Sequence, residues 1–350
     1  MTTVRDAPRE VLVTWPDFPD DGSPEVARLK AAGLELRRSP RTRDRTVEEM
    51  IELVSGCVAG IVSTDRFSRE VLAAAPTLRI LSRVGVGTDS IDLAAAADLG
   101  IAVTSAKGTN EEAVADHTVA MILAACRKVA QHDRAVRAGR WDRTGDWVGR
   151  DLHKASVGLI GLGTIARAVA RRLEGFGASV FGTDPLVAEL PGVTVVPLDQ
   201  LLASCDIVSL HLPLTPQTWH MFDATLMKAM RPGSILVNTA RGGIVDERAL
   251  ETALRSGHLA MAALDVFTTE PPARSGLLDL VDRTVLTAHV GGLTRDSVRS
   301  MVWHATEAVA AALTGTKPAD LVNRPRAPVW AQPIVVTPAP ETTQGNGVMP

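Results

Sequence analysis

The sequence predicts an α/β protein of two domains, each built on a mostly parallel sheet. Three observations carry that expectation. Short β-rich apolar runs alternate with helical patterns through the first hundred residues, as βαβ crossovers require. The alternation lapses over residues 111–139 and resumes near residue 155. A strand at 156–160 then runs straight into a glycine-rich turn.

In the first block the runs 11–15, 34–38, 57–63, 78–84 and 101–105 read as buried strands, with helices at 24–32 and 46–55 among them. Residues 111–139 carry no strand signal. Val114, Thr118, Met121, Ile122 and Ala125 form a helical stripe there. Seven strand candidates follow: "ASVGLIG", "ASVFGTD", "VTVVP", "DIVSLHL", "SILVNTA", "MAALDVF" and "TVLTAHV". Residues 295–313 read as one long helix. Six prolines fall in the 27 residues after Asn323, so 326–350 reads as a disordered Pro-rich tail.

Composition narrows the function classes. At 350 residues the chain has room for two cores. A net charge of −3 disfavours nucleic acid as a partner. No apolar run reaches the roughly 18 residues that a membrane helix needs. Cys57, Cys126 and Cys205 lie far apart and match no metal spacing, and the histidines show no metal constellation. With a polar N-terminus, the reading is a cytoplasmic protein with reduced thiols and no metal.

"SVGLIGLGTIARAVARRL" (156–173) is the most informative stretch. It holds the G-x-G-x-x-A form of the dinucleotide fingerprint. Gly161 permits the tight turn, and Gly163 lets a pyrophosphate approach the backbone. Ala166 lets the helix pack closely. The helix start at Thr164 and Ile165 offers amide donors to phosphate. A second strand ends in Asp184, about 20 residues on, where a carboxylate accepts ribose hydroxyls and repels a 2′-phosphate. No Arg or Lys follows in "PLVAELPGV", so the expected cofactor is NAD. A plain surface aspartate is the alternative.

Later strand tips carry chemically active residues: His211, Pro213 and Thr215; Thr239 and Arg241; Asp265 and Glu270; His289, with Gly291 and Gly292 behind it. Ligands of open parallel sheets sit at those carboxyl ends. A guanidinium can hold a carboxylate and polarise a carbonyl. An imidazole can exchange a proton near neutral pH. A carboxylate bonded to it orients the ring. Taken singly, Arg241, His289 and Glu270 each suit structural roles. Their succession behind the fingerprint favours hydride transfer between NAD and a 2-hydroxy acid. The other histidines, His117 among them, read as structural.

These motifs, with "HLPLTPQT", "LVNTARGGIVDERAL", "ALDVFTTEPP" and "TAHVGG", resemble the D-isomer-specific 2-hydroxyacid dehydrogenases over residues 10–325. The resemblance implies two doubly wound Rossmann/flavodoxin-like domains with an interdomain cleft. A substrate domain (1–105 plus 293–325) would flank an NAD domain (106–292) bearing a helical arm at 111–150 for a homodimer. It implies Arg241, Glu270 and His289 as catalytic residues and Asp265 at the nicotinamide. Amides around Val84, Gly85 and Val86 would bind the substrate carboxylate. Within the family the chain looks most like the D-3-phosphoglycerate dehydrogenases. However, Val62 stands where an arginine would be expected, with Arg66 nearby. Related phospho or phosphono acids, formate or phosphite oxidation, and an NAD-sensing corepressor-like role are the alternatives.

Overall fold

A computed structural model describes residues 9–272 and 276–331. The chain divides into two compact units, residues 9–110 with 295–331, and residues 111–294.

The first unit runs β1 (Glu10–Val13), α1 (Pro24–Ala31), β2 (Glu35–Arg38), α2 (Val47–Val54), β3 (Cys57–Val62), α3 (Arg69–Ala73), β4 (Ile80–Arg83), α4 (Leu93–Asp98) and β5 (Ala102–Ser105). Its sheet has the order β2-β1-β3-β4-β5, with every pair parallel. This is the flavodoxin-like order, which reverses between β1 and β3. Both faces are covered, so its central strands β1, β3 and β4 read as apolar runs rather than alternations. Val11 and Val13 enter one core cluster and Leu12 the opposite one.

The second unit begins with α5 (Glu111–Arg127) and α6 (Val129–Arg137), followed by β6 (Ser156–Ile160), α7 (Thr164–Gly175), β7 (Ser179–Thr183), β8 (Thr194–Val195), α8 (Leu198–Ser204) and β9 (Ile207–Leu210). It continues through α9 (Ala224–Ala229), β10 (Ser234–Asn238), α10 (Glu247–Arg255), β11 (Leu259–Leu264), α11 (Gly276–Asp279) and β12 (Thr284–Leu286). The sheet order is β12-β11-β10-β9-β6-β7-β8, all parallel. That is the Rossmann arrangement, reversing between β6 and β9. Ile235 and Val237 pack on the α5–α7 side, and Leu236 packs on the opposite side.

The single helical stretch expected over 111–139 is two helices. Lys128 takes a left-handed conformation (φ 53°) between them. The Cys126 carbonyl accepts from Arg150 N at 2.8 Å. A Cβ on Gly149 would lie 2.7 Å from that carbonyl, so a long-range contact ends the helix.

α12 (Arg295–Leu313) returns to the first unit, where Met301, Val302, Ala305 and Val309 join the cluster around β1. Residues 321–323 then run along β5. Thr104 and Leu321 form an antiparallel bridge, and buried Asn323 bonds the Val103 amide and the Ile101 carbonyl. This covers a sheet edge that would otherwise be open. Residues 326–331, read from sequence as the start of a disordered tail, are held instead. Arg326 bonds Ala97 O through its amide and Asp98 through its guanidinium, and Trp330 packs on the core. The rest of that expected tail, 332–350, lies outside the described residues.

Candidate active site

The fingerprint turn has the form its sequence requires. Gly161 has φ +87°, and a Cβ there would stand 2.6 Å from the His211 carbonyl oxygen. Only glycine lets β6 turn so close to the end of β9. Gly163 differs: a Cβ would meet nothing within 4 Å. Its φ of −70° suits any residue. Packing does not demand a glycine there, so the open space is what a ligand against the backbone needs. Gly163 caps α7 with no side-chain hydrogen bond to the first-turn amides around Thr164 and Ile165. Ala166 is fully buried beneath them.

Asp184, just past β7, accepts from Leu162 N and from Leu186 N, each at 2.8 Å. The carboxylate therefore ties the glycine turn to the end of β7, and each oxygen keeps a lone pair for a hydroxyl. Open space at Gly163, the helix start and this carboxylate together fit a dinucleotide.

β10 explains the lone arginine. The strand is buried throughout and ends at Asn238. Asn238 Oδ1 accepts from Ala240 N at 3.0 Å and Nδ2 donates to Arg241 O at 2.9 Å, so one side chain turns the chain at Arg241. A Cβ on Gly242 would sit 1.9 Å from the Phe267 carbonyl carbon. Glycine after Arg241 thus admits the loop that carries Glu270. Thr239 is held from α5, its Oγ1 being 2.8 Å from Thr118 Oγ1.

Glu270 Oε2 lies 2.7 Å from His289 Nδ1, and Oε1 accepts from Phe267 N at 3.1 Å. A carboxylate only accepts, so Nδ1 carries the hydrogen and Nε2 is left to exchange protons. Burial alone would raise the Glu270 carboxyl. The hydrogen bond and charge of His289, the Phe267 amide and the Arg241 charge outweigh it and hold the carboxyl below its ordinary range. His289 itself sits at φ +54°, an uncommon conformation for a non-glycine residue.

Asp265 holds that conformation in place. Its backbone oxygen accepts from His289 N at 2.7 Å. Its carboxylate accepts from Val290 N and Gly291 N, each at 2.9 Å, and from Thr287 Oγ1 at 2.6 Å. Burial opposes the charge, yet these donors and His117 keep the carboxyl far below the usual range. Gly292 follows, half-buried. At the end of β9, burial pushes the His211 imidazole down to about 4, with Ser209 Oγ 3.0 Å from Nε2. Pro213 O accepts from Thr218 Oγ1 at 2.7 Å, and Thr215 closes the same turn.

The substrate-loop expectation needs one correction. The Val84 amide donates to Val62 O at 2.9 Å, extending the β3–β4 ladder, so it is committed to the sheet. Gly85 (φ +140°) offers its carbonyl to Ala106 N at 2.9 Å. Val62 is fully buried, and Arg66 is exposed. Between them Asp65 is buried and paired with Arg45 at 2.6 Å.

His117, which the sequence leaves structural, stands at this site, with Nε2 3.1 Å from Thr287 Oγ1 and 3.3 Å from Asp265 Oδ1. Its position three residues after Val114 and next to Thr118, at the edge of the buried stripe of α5, is the signal that could have found it.

Residues 119–291 match the family profile described as D-isomer specific 2-hydroxyacid dehydrogenase, NAD binding domain. A D-3-phosphoglycerate dehydrogenase of Mycobacterium leprae is 42% identical over 258 residues, which is 73% of this chain and 48% of that protein. The chain thus spans about half the length of that relative. The crystal structure of the TT0316 protein from Thermus thermophilus aligns with TM-score 0.82 at 37% identity, covering 89% of this chain and 99% of that one. D-lactate dehydrogenase of Aquifex aeolicus, solved with NAD and lactic acid, aligns with TM-score 0.78 at 26% identity, covering 89% and 98%. With the fingerprint and the Rossmann strand order, these place the chain in the D-isomer specific 2-hydroxyacid dehydrogenase family, with its NAD-binding domain at residues 119–291.

Proposed function

We propose that the protein is an NAD-dependent oxidoreductase that interconverts a D-2-hydroxy acid and its 2-keto acid. The observation that carries this is the 2.7 Å contact of Glu270 with His289, at the carboxyl edge of a sheet whose fingerprint fits NAD. The fingerprint turn, the α7 start and Asp184 would hold the cofactor, which supplies the hydride acceptor or, reduced, the donor. Near its nicotinamide we assign Asp265, His211, Pro213, Thr239, Gly291 and Gly292.

In oxidation His289 Nε2 takes the substrate hydroxyl proton as the C2–H bond gives up its hydride, leaving the keto acid. In reduction Nε2 returns that proton. Glu270 keeps the ring in the tautomer that leaves Nε2 available. Arg241 grips the carboxylate and polarises the carbonyl with its fork of donors. The relatives' names make 3-phosphoglycerate the leading substrate. Val62 in place of an arginine keeps other 2-keto acids in the test.

The assay follows NADH absorbance with a panel of 2-keto acids, including that of 3-phosphoglycerate. Turnover on at least one is expected. Tight NADH binding with no turnover on any would overturn the proposal.

A homodimer through the 111–150 arm belongs to the same proposal. Val129, Val136, Trp141 and Val148 are each more than half exposed along this arm. Apolar surface gathered this way favours an interface. Light scattering of wild type and Trp141→Glu tests it: a dimer that the substitution weakens is expected, and a monomeric wild type refutes it. The three cysteines are free and buried, which suits the reducing cytoplasm. Among the described residues, no helix is long and apolar enough to cross a membrane.

A further inference from the structure

We propose that His117 is a positioning residue, clamping Asp265 and Thr287 so that the turn carrying His289 holds the conformation hydride transfer needs. The inference rests on the dehydrogenase reading above, and the hydrogens support it. Thr287 has one hydroxyl hydrogen, and the 2.6 Å contact assigns it to Asp265 Oδ1. Thr287 Oγ1 therefore accepts from His117, so Nε2 of His117 carries a hydrogen in either charge state. That hydrogen is shared between Thr287 Oγ1 at 3.1 Å and Asp265 Oδ1 at 3.3 Å.

Asp265 is 1% exposed and needs these donors. It also links the two halves of the chemistry. Its amide donates to Asn238 O at 3.0 Å, and Asn238 clamps the turn at Arg241. Its carbonyl and both carboxylate oxygens hold His289 N, Val290 N and Gly291 N. The left-handed His289 persists only while that grip lasts, since a non-glycine residue in that conformation is strained when unsupported. His117 also packs on the turn directly: its Cδ2 lies 3.3 Å from where a Cβ on Gly291 would stand. One residue on, Thr118 reaches Thr239, so α5 braces two strand ends at once.

The test compares wild type with His117→Ala, His117→Asn and His117→Gln. Gln places an N–H near the position of Nε2; Asn stops short. The first readout is hydrogen exchange of the peptide spanning 288–293, which needs no turnover. Ala and Asn should speed exchange at Val290 and Gly291 at least about tenfold, with Gln near wild type. The second is kcat against KM, on the keto acid that wild type reduces best. Ala and Asn should lower kcat about 10- to 100-fold while KM moves less than about threefold, and Gln should recover most of the loss. If Ala does not fold, Asn decides. Unchanged exchange in folded Ala or Asn overturns the proposal, as does Gln performing no better than Asn. An inactive wild type would sink the dehydrogenase reading alone, because the exchange pattern still decides this one.

Discussion

Glu270 Oε2 and His289 Nδ1 meet at 2.7 Å although 19 positions separate them, and each arrives on a different strand-end loop. The pair divides the labour: one group orients and the other exchanges the proton. His289→Ala should lower kcat by about 100- to 10,000-fold with NADH affinity retained. Glu270→Gln, which keeps the shape and removes the charge, should lower kcat less, by about 10- to 100-fold. Arg241→Ala should cost about 3 kcal/mol in kcat/KM, and Lys should restore only part because it lacks the fork. Stopped-flow and steady-state rates check all three. A His289→Ala enzyme with wild-type kcat would remove imidazole from the mechanism.

The fingerprint glycines separate folding from binding. Gly161→Ala drives a Cβ toward the His211 carbonyl at a positive φ and should destabilise by about 1 to 3 kcal/mol. Gly163→Ala meets open space and should leave Tm unchanged while raising the NADH Kd at least about tenfold. Melting curves and NADH fluorescence titrations distinguish them. A Gly163→Ala protein binding NADH like wild type would contradict the cofactor placement.

Asp184 has two tasks. Asp184→Ala removes the acceptor for Leu162 N and Leu186 N, and should cost about 2 kcal/mol of stability. It should also weaken NAD and narrow the preference over NADP. Matched titrations with both cofactors measure this, and an unaltered NAD-to-NADP ratio would count against the ribose role.

His211 makes stability depend on pH. Its imidazole is pushed down to about 4 by burial, against about 6.5 in an unfolded chain. Between those values the unfolded state binds more protons, so stability falls as pH drops from about 6.5 toward 4. The loss comes to about 2 kcal/mol, less than the full shift would give, because residue His211 as a whole is only half-buried. His211→Asn should flatten this limb of a Tm–pH plot. A variant with the same slope as wild type would place the acid sensitivity elsewhere.

Local information is what the sequence carried well. β10 and β11 are apolar because both sheet faces are covered, and Gly161, Gly163 and Asp184 form a compact motif whose spacing follows from one βαβ unit. Helix α12 was legible to its ends. Arg241, Glu270 and His289 were legible as residues at strand tips, and the resemblance grouped them. Tertiary structure alone decided the rest. It set the approach of Phe267 that requires Gly242, the Val62 carbonyl that takes up the Val84 amide, and the Arg150 amide that ends α5. It also brought His117 to Thr287 across 170 positions. The reason is physical. Periodicity and turn chemistry depend on neighbours along the chain, whereas a hydrogen-bond partner depends on which surfaces the packed sheet brings together.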